Sequence, residues 1–222
     1  MLETISSQLT PITTDLFSDK TRDRILISSL VLFNQLGFSR VTTASIAKQT
    51  GILEGSLWYH FNTKKDILDA HIQLLSKVFL TENKQASSTD TKTIILGIFR
   101  SYDLIWDFRY ILRDDFQKSL NEDELVLETA KKINNSLDQW AEGRIQHSYN
   151  NGLLQLNPQQ IENLSEITLV IGRYWLDFSS KKYPNASDES LRKKGLSHIF
   201  TVLESYLSPE AKQIISQMMD KR

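Results

Sequence analysis

The sequence predicts an all-α protein, and three observations carry that prediction. Apolar residues recur at three- and four-residue spacings along most of the chain, which is the period of one helix face. Gly and Pro number only 8 and 4 among 222 residues, too few for the turns of a fold built from many short strands. With 40% hydrophobic and 24% charged residues, the composition is that of a globular domain. No apolar run reaches the roughly 18 residues of a membrane span, and the first residues lack the basic-then-apolar order of a signal peptide. A soluble, cytoplasmic protein with no membrane partner is therefore expected. The lack of Cys removes disulfides, thiolate metal sites and thiol chemistry.

The elements follow in order. Residues 1–19, which include "MLETISSQLTPITTDLFS", are polar and without a sustained period, and they predict a flexible arm or a weakly docked tail. From Lys20 a helix is expected, with Ile25, Ser29, Leu32, Phe33 and Leu36 on one face and Gly37 as its stop. Thr42 or Thr43 caps a short second helix that Gly51 ends; Glu54–His60 form a third, with Leu57 and Phe61 turned to the core. Thr63 opens a longer helix to about Leu80. The polar stretch "ENKQASSTDT" then breaks the chain between a small unit and a larger one. Beyond it, helices are predicted over 91–106, a short segment after that, 121–150, 158–180 behind the cap Asn157 and Pro158, 188–207, and a terminal one opened by Ser208 and Pro209. This divides the chain into an arm (1–19), a helix-turn-helix unit with the start of a connecting helix (20–66), and a helical regulatory and dimerisation part (67–222).

Charge is unevenly spread. Lys20, Arg22, Arg24, Arg40, Lys48, Lys64 and Lys65 face only Asp23 and Glu54 between positions 20 and 65, a surplus of five in a chain of net charge -1. A basic end on an acidic body draws polyanions to one place. Within it, two short helices joined through a glycine turn and backed by a third are the ingredients of a helix-turn-helix, whose second short helix enters the major groove. At 100° per residue, Leu57 and Phe61 point inward, so Gly55, Ser56 and Tyr59 point outward with Trp58 and His60 on the flanks. Exposed aromatics suit a face that meets a sugar-phosphate backbone, where a phenol or indole can donate to oxygen. The bland alternative is that Trp58 and Tyr59 wedge against neighbouring helices.

The run Arg24–Leu68, "RILISSLVLFNQLGFSRVTTASIAKQTGILEGSLWYHFNTKKDIL", resembles the DNA-binding domain of the tetracycline-repressor (TetR/AcrR) family of bacterial regulators. The matching elements are the opening "RIL", "LF" and "G" closing the first helix, "TT..IA...G", "G.L.YHF" and "K..IL". The resemblance implies that Thr43 contacts a phosphate and that Glu54, Gly55, Ser56 and Trp58 face bases or nearby backbone. It also implies that Tyr59, His60 and Lys64 hold phosphates. Two departures stand out. Leu53 occupies a position where the family commonly has a capping Ser, and it either touches a thymine methyl or packs inward. Glu54 either favours the positive end of the helix dipole or accepts a hydrogen bond from cytosine N4.

For the remainder, the resemblance implies dimerisation through two late helices, here 157–180 and 188–207, and a small-molecule site. Aromatic density makes Phe99, Tyr102, Trp106, Trp140, Tyr174, Trp175 and Phe178 the candidate effector pocket, with core packing as the alternative for each ring. Arg109, Arg113, Arg173 and Asp177 either give it a charge preference or pair on the surface. His60, His71, His147 and His198 are scattered, and no phosphate-binding glycine loop or nucleophile elbow occurs, so neither an enzyme, a metal nor a cofactor is expected. The expected protein is a sequence-specific homodimeric regulator. It is read as a repressor that leaves a pseudo-palindromic double-stranded operator when an effector, apolar or aromatic, binds. Its rivals are a sequence-blind DNA-organising protein and a helical protein-interaction scaffold.

Overall fold

A computed structural model describes residues 7–85, 88–113, 116 and 124–221; for 79–85, 124–127, 129 and 130 it describes only the helical backbone. The helices are α1 (Thr21–Leu36), α2 (Thr43–Thr50), α3 (Glu54–His60), α4 (Lys64–Gln85), α5 (Thr91–Asp107), α6 (Glu124–Asn150), α7 (Pro158–Lys182), α8 (Asp188–Leu203) and α9 (Pro209–Asp220). Short 3-10 turns occupy Arg109–Leu112 and Glu204–Tyr206. Among the described residues there is no strand, only an isolated bridge between Leu154 and Leu207. The start expected for α6 at 121 lies outside the described residues.

Local chemistry sets most helix ends. Gly37 (φ 83°) and Gly51 (φ 74°) stop α1 and α2 in a backbone region that side chains with a Cβ disfavour. Thr42 caps α2 reciprocally with Ser45, and Asn157 caps α7 reciprocally with Gln160. Thr63 and Asp66 exchange side-chain-to-backbone bonds at the start of α4. The segment expected as one helix to 207 stops at Leu203, because Gln155 N–H donates to Tyr206 O and Ser208 N–H to Leu153 O, an exchange that a helix would forbid.

Packing divides the chain differently from the sequence expectation. One unit comprises 1–78 and 103–130, the other 79–102 and 131–222. In the first, α1 is buried almost all round from Ile25 to Asn34, since α2, α3 and the 3-10 turn at 109–112 each pack on it, while Leu36 is exposed. Burying each of Ile25, Leu30, Phe33, Ile46, Leu57 and Leu68 stabilises this unit by about 1.5–3 kcal/mol. Residues 103–113 belong here because one α1 residue holds them. Asn34 Nδ2 donates to Asp107 O at 2.6 Å, Tyr110 N–H donates to Asn34 Oδ1 at 3.1 Å, and Arg113 donates to Asn34 O at 2.8 Å.

Of the two expectations for residues 1–19, the docked tail is what the described part shows, residues 1–6 lying outside it. Pro11–Thr14 form a helical turn, and Leu9, Thr10 and Thr13 are buried. The Thr10 N–H and hydroxyl both donate to Asp107 Oδ2, at 2.9 and 2.5 Å. A buried carboxylate needs such donors. Burial pushes the Asp107 carboxyl pKa up, and the Thr10 bonds oppose that rise.

In the second unit, Ile145, Leu154, Leu164 and Leu203 form a core against which Ile161, Ile199 and Tyr206 pack. Phe99 meets Phe200 at 5.2 Å between ring centroids, and Trp175 Nε1 donates to Leu191 O at 2.9 Å. Helices α7 and α8 run against one another.

Candidate DNA-binding interface

The site is built by α2, the turn at Gly51 and α3. Gly51 N–H reaches back to Ala47 O and Lys48 O, and Ile52 N–H to Ala47 O, which closes α2 and swings the chain into α3. Arg24 on α1 donates to Thr50 O at 2.9 Å and so satisfies a carbonyl at the end of α2. Leu57 and Phe61 anchor α3 in the core, and the Arg22 guanidinium lies 4.9 Å from the Phe61 ring centroid.

With that face inward, the rest of α3 looks out as its phasing predicts. Gly55 and Ser56 are exposed, Trp58 is 53% and Tyr59 87% exposed, and half-buried His60 sets its ring edge-on to Tyr59 at 5.2 Å. Large apolar side chains this open mark a surface that meets a partner. Leu53, at the cap position of α3, makes no side-chain cap and is 81% exposed, so of its two expected roles the inward one is excluded. Exposed Lys20, Arg22, Arg40 and Lys48 lie in the same unit, with nothing among them buried.

Two of the candidate residues make bonds within the protein. Lys64 is turned inward: its ammonium donates to Phe38 O at 2.8 Å and Val41 O at 2.9 Å and sits 4.4 Å from the Phe38 ring centroid. Burial lowers its pKa. It braces the loop between α1 and α2, where the family resemblance implies a phosphate contact. Thr43 directs its hydroxyl to Glu54 Oε1 at 2.7 Å, tying the first residue of α2 to the first of α3. Neither bond is visible in sequence, because each joins residues more than ten positions apart and depends on the angle between helices.

Of the seven candidate pocket residues, Tyr102 and Trp175 both lie against Gly195, and the Trp175 and Phe178 ring centroids are 6.1 Å apart. Trp106 belongs to the first unit, where Arg109 lies over its ring and donates to its carbonyl. Phe99, Tyr102 and Trp175 are buried in the second unit and Trp140 is half-buried beside Arg144. Tyr174 and Phe178 stack on each other at 5.6 Å and face outward, Tyr174 with 67% of its surface open. Period places all of them on helices but cannot tell an inward ring from an outward one. Of the arginines, Arg113 donates to Asn34 O, and Arg173 pairs with Asp138 and donates to Asn134 O. An open surface depression of about 460 Å³ in the second unit has Ser187, Ser190, Lys193, Lys194 and Met219 in its lining and none of the seven aromatics. No described helix is long and apolar enough to cross a membrane.

Two family models match the chain. "Bacterial regulatory proteins, tetR family" covers residues 25–71, and "Bacterial transcriptional repressor" covers 73–215. The chain is 25% identical over 196 residues to the biofilm operon icaADBC HTH-type negative transcriptional regulator IcaR of Staphylococcus aureus, a match spanning 84% of this chain and 98% of that one. To the class A tetracycline repressor protein from transposon 1721 of Escherichia coli it is 29% identical over 82 residues, 35% of this chain and 36% of that one. A solved TetR-family transcriptional regulator from Marinobacter aquaeolei VT8 superimposes with a TM-score of 0.71 at 25% identity, covering 91% of this chain and 98% of that one. A helix-turn-helix with its third helix presented outward, followed by a larger helical part matched over its length, leads to one conclusion: the chain is a DNA-binding transcriptional regulator that belongs to the tetR family.

Proposed function

We propose that the protein is a cytoplasmic homodimeric repressor that holds a pseudo-palindromic operator and leaves it when a small molecule binds its larger helical part. The outward face of α3 carries this reading: Gly55 permits close approach, and Ser56, Trp58, Tyr59 and His60 offer donors to DNA along a helix locked by Leu57 and Phe61. The similarity to a negative regulator supports the sign of control. On α7, Ile167, Val170, Tyr174 and Phe178 are exposed at spacings of three, four and four, a single apolar stripe that suits a second copy of the chain. Two-fold symmetry then sets the recognition helices about 34 Å apart, or a multiple of that, and makes the operator an inverted repeat. The interior rings Phe99, Tyr102 and Trp175 favour an apolar or aromatic effector. Release requires the effector to prefer a dimer geometry whose spacing misses the half-sites, since equal affinity for both geometries shifts nothing.

The test is recovery and sequencing of sheared genomic DNA bound by the purified protein at near-physiological salt. Enrichment of one inverted repeat is expected. Uniform recovery that vanishes as salt rises would replace this reading with sequence-blind backbone binding.

A further inference from the structure

We propose that Thr43 and Glu54 form a cytosine-reading unit: the Thr43 hydroxyl fixes the Glu54 carboxylate at the leading end of α3, and the carboxylate accepts the N4 amino hydrogen of one cytosine in each operator half-site. The inference rests on the DNA-binding reading of α2 and α3 and adds to it the base that they select.

The observation is the 2.7 Å bond from Thr43 Oγ1 to Glu54 Oε1. A hydroxyl carries one proton, and phosphate oxygens only accept, so a Thr43 hydroxyl that donates to Glu54 cannot also donate to the DNA backbone. The pair thus forgoes a phosphate bond in exchange for a positioned acid. Glu54 is half-buried between the exposed residues Leu53 and Gly55, at the end of a recognition helix whose N-terminal residues are the ones that reach base edges.

An ionised carboxylate only accepts hydrogen bonds, and the DNA backbone offers it only acceptors and like charge. Its partners on DNA are the amino groups that project into the major groove, cytosine N4 and adenine N6. Adenine N6 sits beside the N7 lone pair, which repels the second carboxylate oxygen. Cytosine N4 has no acceptor on that side, so the acid favours cytosine. At any other base the carboxylate is brought into the groove without a partner, and this penalty supplies much of the discrimination. Glu54 is therefore the specificity residue and Thr43 its positioning residue.

Selection from a randomised duplex pool with the full-length protein, followed by sequencing, tests the unit. The wild type is expected to enrich an inverted repeat with one cytosine fixed in each half. Glu54→Gln is isosteric and should exchange that cytosine for adenine, whose N6 and N7 an amide pairs with. Glu54→Ala should lower discrimination at that position by about fivefold or more and leave the other positions intact. Thr43→Val, with Glu54 retained, should weaken preference at the same position. An identical motif from all four proteins overturns the inference, as does an even loss across all positions, which would make the bond a brace between α2 and α3. A wild type that enriches no motif brings down the DNA-reading assignment itself, an outcome distinct from either.

Discussion

His71 and Tyr110 meet in the interior of the first unit, with His71 Nδ1 2.9 Å from the Tyr110 hydroxyl and both side chains buried. The second imidazole nitrogen, Nε2, lies 3.0 Å from Leu26 O, which can only accept. That fixes the tautomer: Nε2 carries the proton and donates to Leu26, while Nδ1 accepts from the Tyr110 hydroxyl. Phe33 and Phe108 stand edge-on to the ring at 5.9 Å, so a charged imidazolium has no solvent to stabilise it. Burial accordingly lowers the His71 pKa from its usual 6.5 to about 4 and raises that of Tyr110 well above 10.

The first prediction is a loss of stability in mild acid. Between pH 4 and 6.5 the unfolded chain binds a proton at His71 that the folded chain refuses, so stability rises with pH across this window and levels off above it. The full effect is about 3 kcal/mol. Urea unfolding at pH 7.5 and pH 5 should show the decline in the wild type and a shallower one in His71→Gln, although that variant is the less stable of the two at pH 7.5. Equal pH slopes for the two proteins would refute the assignment.

A second prediction concerns Lys64. As a brace on Phe38 O and Val41 O, its replacement by Met should lower folding stability by about 1 kcal/mol, discounted for its partial exposure. The salt dependence of DNA binding should stay as in the wild type. If Lys64 neutralised a phosphate, the slope of log affinity against log salt would instead fall in magnitude by about 0.9 in the Met variant. Affinity measured between 50 and about 200 mM salt separates these outcomes.

Thr10 gives a third. Thr10→Val keeps the shape and removes the hydroxyl donor to a buried carboxylate, at a cost of about 2 kcal/mol near neutral pH. The pKa of Asp107 is raised on folding, so protonation favours the folded state, a contribution present below its unfolded pKa and lost as pH rises through the folded one. The penalty of the variant should therefore shrink in acid. Unfolding curves of both proteins at pH 8 and pH 4.5 check this, and a pH-independent difference would count against the Thr10–Asp107 bond as its source.

What was legible in the sequence is what is local. Thr42 with Ser45, Asn157 with Gln160 and Ser208 with Ala211 pair at a separation of three, so a cap can be read from neighbours in the chain. The outward face of α3 was equally legible, because Leu57 and Phe61 fix its phase. The docking of Thr10 on Asp107 joins residues 97 apart, and Asn34 meets Tyr110 across 76, so nothing in the spacing signals either. Ser- and Thr-rich composition left a flexible arm and a docked tail equally open, since composition counts hydroxyls but not the buried acceptor that one of them meets. Tyr174 and Trp175 show the same limit: adjacent on α7, one lies open and the other buried, and only the neighbouring helices decide which.

Two helical glycines are expected to respond in opposite directions. A Cβ on Gly195 in α8 would fall well inside contact distance of the Tyr102 hydroxyl and of the Trp175 indole. Neither neighbour can yield freely, because the indole is held by its bond to Leu191 O and by the His198 ring edge-on at 4.7 Å, and the Tyr102 ring is itself buried. Gly195→Ala should thus force α8 or Trp175 to move and cost about 1–3 kcal/mol. Gly143, exposed on α6, has open space where a Cβ would lie, so Gly143→Ala should raise stability by about 0.5–1 kcal/mol through the lower conformational entropy of the unfolded chain. Urea unfolding of the two variants beside the wild type, with Trp175 emission recorded for Gly195→Ala, reads both effects. A Gly195→Ala protein of wild-type stability and unchanged emission would mean that α8 has slack at this crossing and that the close approach of Gly195 to Trp175 is not what seats the helix.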